Sequence, residues 1–70
     1  MRDYRVILKG TKQNCEGFTI ELVWYHSALA EITSTNKNEV DGTIMLNLLV
    51  DKDRLDYLNE MAKGWGLKAL

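Results

Sequence analysis

Thr43-Ile44-Met45-Leu46-Asn47-Leu48-Leu49-Val50, entered through Val40-Asp41-Gly42 and left through Asp51-Lys52-Asp53 toward Leu55 and Leu58, is the stretch on which the fold turns. Ile44, Met45, Leu46, Leu48, Leu49 and Val50 do not alternate with polar residues. They read as a strand with apolar side chains on both faces, and such a strand needs something to cover each face. Asp51 to Lys63 then reads as a helix. Asp51 or Asp53 is placed to cap its free amides, and acidic charge there complements the helix dipole. Its apolar stripe is Leu55, Leu58, Met61 or Ala62, and Trp65, with Asp56, Asn59, Glu60 and Lys63 on the wet side. Gly64 is the expected stop, because glycine takes the left-handed conformation that ends a helix. Leu67 to Leu70 is left for a short closing strand or a frayed tail.

Upstream, Asn36-Lys37-Asn38-Glu39 and Asp41-Gly42 form a turn cluster between two strand-like runs, so residues 29–50 are expected to be a hairpin. Tyr4, Val6 and Leu8 alternate with Arg5, Ile7 and Lys9, which makes Asp3 to Lys9 a strand ending at Gly10. Thr11 to Gly17 reads as a polar loop. Phe18 to Ile32 fits two templates. With a helical period, Phe18, Leu22, Tyr25, Leu29 and Ile32 form a stripe that Asn14 or Thr11 can cap. With period two, Phe18, Ile20, Leu22 and Trp24 alternate with Thr19, Glu21 and Val23. The favoured reading is a helix over about 14–26 and a strand over about 29–35.

The order strand, helix, strand, strand, helix, short strand predicts an α+β fold. It is the order of a ferredoxin-like βαββαβ arrangement, an antiparallel sheet with two helices on one face. The alternative is a four-stranded β-meander followed by one C-terminal helix. The stretch from Val40 through Val50, with the Leu55 and Leu58 helix after it, resembles the second half of small regulatory modules of the ACT and NIL type. There, too, a glycine precedes the third strand and a helix follows an acidic turn. That resemblance covers about half of the chain and implies a small-ligand-sensing regulatory domain.

Seventy residues, 46% of them hydrophobic, make residues 1–70 one small domain. A chain of this size buries only roughly 60% of its unfolded surface, so a further face buried against a copy of itself is a useful source of stability. The same size leaves little room for an enclosed substrate pocket. A net charge of −1 lacks the electrostatic footprint of a protein that grips phosphate backbones, which disfavours nucleic acid. Charge is segregated all the same. Arg2, Arg5, Lys9 and Lys12 lie in the first thirteen residues, whereas every charge from Gln13 to Asn36 is acidic. A lone Cys15 makes no internal disulfide, no stretch resembles a secretory signal, and Phe18 to Ile32 is too short and too broken by charge for a bilayer span; a cytoplasmic location is expected.

Chemistry-bearing residues are sparse. Gly10 to Gly17 follows a strand, where a phosphate loop would sit, but lacks the Gly-Lys-Ser/Thr order. Cys15 has no second thiol for a soft metal, and Asp51, Asp53 and Asp56 lack the glycine and distal glutamate of a calcium loop. His26 has no nucleophile at an interpretable spacing. No cofactor or metal is therefore expected, and no catalytic residue. Trp24, Tyr25 and Trp65 are the expected partner-binding residues, because aromatic side chains dominate protein contacts and Trp65 lies between Gly64 and Gly66; the competing role for Trp65 is a lid on the core. The expected function is a non-enzymatic protein-interaction or regulatory module, an adaptor or inhibitor, that forms a homodimer.

Overall fold

Residues 44–50 form a strand, and that strand lies in the interior of a four-stranded antiparallel sheet. The computed structural model describes residues 3–70; Arg2, one of the basic residues noted above, lies outside them. Along the chain come β1 (Tyr4–Gly10), α1 (Lys12–Tyr25), β2 (Ala30–Lys37), β3 (Ile44–Val50), a 3₁₀ turn (Lys52–Arg54), α2 (Leu55–Gly64) and β4 (Lys68–Ala69). The sheet order is β2-β3-β1-β4. The period-two reading of residues 18–25 is excluded, and with it the meander.

The register follows from the apolar pattern, since a one-residue slip would turn every core side chain outward. β1 and β3 pair from Tyr4↔Val50 to Gly10↔Ile44, which puts Val6 opposite Leu48 and Leu8 opposite Leu46. These four and Val50 are buried, together with Cys15, Phe18 and Leu22 from α1 and Leu58 and Ala62 from α2. Both helices therefore pack on the same face of the sheet. On the opposite face Ile7, Met45 and Leu49 are only half-buried. Of the two covers that the continuous apolar run of β3 demands, the described residues supply one.

β2 and β3 form the expected hairpin. Its turn is held by Asp41, whose carboxylate accepts from the Thr43 backbone N–H at 3.0 Å and the Thr43 hydroxyl at 2.6 Å, and by Gly42 at φ 73°. The ladder slips between Ile32 and Ser34: Ile32 faces Leu48, Ser34 faces Asn47, and Thr33 is the extra residue of a β-bulge. Thr33 donates its hydroxyl to the Asn47 carbonyl at 3.1 Å.

Three local expectations are corrected. The polar loop over 11–17 is almost entirely helix: α1 begins at Lys12, because Thr11 is extended and accepts from the Asn14 N–H at 3.2 Å. Neither the 3₁₀ turn nor α2 starts with a side-chain cap hydrogen bond, so Asp53 and Asp56 act there through their charge at the helix start. The left-handed stop after α2 is Gly66, at φ 75°, and not Gly64. The Leu67 N–H donates to the Ala62 carbonyl at 2.9 Å and the Gly66 N–H to that of Lys63 at 3.0 Å, a Schellman closure that moves the stop two residues on. Its apolar contact is between Leu67 and Ala62, both buried.

Candidate functional site

α1 is the element whose apolar surface exceeds what the core uses. Cys15, Phe18 and Leu22 recur at helical spacing and are buried, while Ile20 and Val23 remain 57% exposed and Trp24 and Tyr25 77% and 78%. Of these, Ile20, Val23 and Trp24 fall within about 100° of one another around the helix and form one exposed side, while Tyr25 points away from it. Singly exposed apolar residues need no explanation, but a contiguous set marks a contact surface.

The three aromatics singled out in the sequence are not one cluster. Trp65 is carried by the closure of α2 and lies across α1 at Gly17, where a Cβ would come within 2.3 Å of its indole ring. Its Nε1–H donates to the Glu21 carboxylate, and the side chain is 37% exposed. This arrangement clamps α2 to α1. Gly17, Glu21 and Trp24 share one side of α1 by helical spacing, so Trp24 stands one turn beyond the carboxylate that Trp65 engages. Tyr25 turns to the end of the molecule. There it lines an open cleft of about 580 Å³ with His26, Ser27, Leu29, Arg54 and Tyr57. His26 and Tyr57 meet edge to face, with ring centroids 5.6 Å apart.

Sequence reasoning missed Gly17 and Glu21 as the seat of Trp65, and Arg54 and Tyr57 as cleft residues. No local pattern marks them, since Glu21 and Trp65 are 44 positions apart. Helical spacing places Glu21 and Trp24 on one side of α1, but nothing short of the tertiary structure brings Trp65 there.

The remaining candidates separate. Cys15 is buried at the start of α1 and its thiol donates to the Ile44 carbonyl at 3.7 Å. Burial pushes its pKa up, against a smaller lowering by a backbone hydrogen bond at Gly10, which favours the unreactive thiol. His26 caps the other end of α1, eleven residues on, roughly 16 Å away at the helical rise. Thiol and imidazole do not converge. Among the described residues no group of three or more His, Cys, Asp or Glu side chains is arranged to hold a metal ion, and no helix is long and apolar enough to cross a membrane. A scan of protein-family models finds no match to this chain, and neither the curated proteins nor the solved structures give one.

Proposed function

We propose that this chain is a non-enzymatic protein-interaction or regulatory module, an adaptor or inhibitor of a larger protein, built on a ferredoxin-like arrangement and acting as a homodimer. The observation that carries the reading is the apolar side of α1: Ile20, Val23 and Trp24 stand in solvent although the core beneath is already filled by Phe18 and Leu22, and Tyr25 is exposed at the end of the same helix. Trp24 and Tyr25 are the contact residues of this reading, with Trp65 as the clamp that fixes the helix presenting them. Aromatic anchors held on a rigid helix supply contact area at small entropic cost. The order of elements and the placing of β1 and β3 between β2 and β4 support the ferredoxin-like assignment. Affinity capture with the native chain and with Trp24→Ala tests the function. The native chain retains a partner that the variant loses, with unchanged melting temperature; equal capture by both rejects the contact role of α1.

A second reading, a small-ligand sensor, is favoured by the cleft at the end of α1. Arg54 makes no ion pair among the described residues and lines that cleft, with Asp53 next to it in the chain, beside the rings of Tyr25, His26 and Tyr57. Thermal shifts against amino acids and nucleotides test it: a dose-dependent rise that Arg54→Ala abolishes supports sensing, and a flat response to the whole panel rejects it.

A further inference from the structure

We infer that the uncovered face of the sheet is where two copies of this chain meet, packed face to face about a two-fold axis that runs along β3. The inference rests on the homodimer of the reading above and names its surface, which is distinct from the exposed side of α1.

The starting point is the composition of β3. Its inward side chains Leu46, Leu48 and Val50 are buried, and its outward ones, Met45, Asn47 and Leu49, are half-buried with no layer formed over them by the described residues. On the neighbouring strand Ile7 extends the apolar strip, and the Leu70 N–H, which donates to the Ile7 carbonyl at 2.9 Å, brings Leu70 alongside it. Three strands of seven or eight residues, about 24–27 Å long and about 4.8 Å apart, with the short β4 beside them, give this face a few hundred Å², below the roughly 800 Å² per partner of a standard interface, which suits a reversible dimer. Two such faces stacked at the usual distance of about 10 Å would form a sandwich with Met45 and Leu49 at its centre.

The charges on this face say which partner covers it. Leu49 is paired with Arg5 on one side and with Glu31 on the other. The three lie in one row across the sheet, with opposite charges one strand spacing, about 4.8 Å, to either side of the leucine. A two-fold axis through Leu49 along the strand exchanges the two sides of the row, so Arg5 of each copy comes to face Glu31 of the other. Neither residue makes an ion pair among the described residues of the single chain. Both are exposed and available. The row through Leu49 is thus self-complementary in charge as well as in apolar content. The other cations of this face do not oppose one another across the axis: Lys9, already paired with Asp41, comes to face Asn36, and Lys68 lies at the border beyond it, so one such surface closes a dimer.

Sedimentation over a range of concentrations, with designed charge variants, tests this. The native chain is expected to show a monomer–dimer equilibrium, and Leu49→Asp, which sets two carboxylates together on the axis, to be monomeric with an unchanged far-ultraviolet spectrum. Arg5→Glu and Glu31→Arg alone each place like charges opposite one another and weaken the dimer about tenfold. An equimolar mixture of the two restores association, because every cross pair is again of opposite sign. A native chain that stays monomeric at high concentration overturns the inference. So does a native-strength dimer in Leu49→Asp, or single charge variants that behave like the native chain. Partner capture lost on Trp24→Ala, with self-association unaltered, separates failure here from failure of the functional reading.

Discussion

The two helices do different work although they share one core. α2 is more cleanly divided: Leu58 and Ala62 are buried, Leu55 and Met61 pack at the core margin, Asp56, Glu60 and Lys63 face water, and Tyr57 at its start is the one large apolar side chain left out. α1 is apolar on more than one side, burying Cys15, Phe18 and Leu22 while Ile20, Val23 and Trp24 stay out. A helix used only to build a fold needs the first pattern. The second carries apolar surface the fold does not consume, and that excess is where contacts with other molecules are expected.

The largest effects should not distinguish the helices. Phe18→Ala in α1 and Leu58→Ala in α2 both open fully buried sites, and each should cost about 3–5 kcal/mol by denaturant unfolding, enough to unfold a chain this small. A mild effect at Phe18 would mean that α1 contributes less to the core than its burial implies. Glycine gives the sharper contrast. A Cβ at Gly17 meets the indole of Trp65, whereas Gly64 has nothing within 4 Å and no left-handed φ. Gly17→Ala should therefore destabilise by about 1–2 kcal/mol despite its better helix propensity, and Gly64→Ala should stabilise by about 0.5–1 kcal/mol. Equal signs in thermal melts would break the comparison. Trp65→Ala should lower stability by about 2 kcal/mol through loss of the clamp; partner capture lost at unchanged melting temperature would instead make Trp65 an anchor.

On the outer side of α1, replacing Ile20 and Val23 with Lys should change stability by less than about 0.5 kcal/mol per site while abolishing capture of the partner. A large fall in melting temperature would show that these side chains serve the fold after all. The smallest effect lies outside both helices, in the turn between β2 and β3. Asp41 is held at about 2, chiefly by the hydrogen bond from the Thr43 hydroxyl and then by that from the Thr43 backbone. Its folded pKa is below its unfolded one, so its stabilisation is present above about pH 4 and is lost as pH falls toward 2. Asp41→Asn should remove that slope from the acid limb of the stability profile and leave the profile above pH 5 parallel to the native one.

The elements from Asp41 onward were legible because their signals are local. The apolar run fixes β3, the stripe from Leu55 to Ala62 fixes α2, and the Asp41-Gly42 turn fixes the hairpin. The start of α1 was not, because Gly17 weakens a helix in isolation and nothing nearby shows that an indole fills the space its missing Cβ leaves. For the same reason Gly64 drew the eye as a stop while Gly66 served as one: either glycine can adopt the left-handed turn, and the choice depends on where Leu67 finds Ala62. Of the site, the exposed aromatics were visible as residues but not as places. The clamp at Glu21 and the cleft at Arg54 and Tyr57 arise from pairings that no spacing along the chain encodes.

The bulge at Thr33 bears on what happens when many copies crowd together. β2 is an eight-residue border strand without proline and with charge only near its ends, the sort of rim onto which foreign strands add and fibrils grow. One surplus residue kinks that rim and spoils its pitch for an incoming chain. Deleting Thr33 would straighten it, and the gain in regularity would come with a protein prone to precipitate.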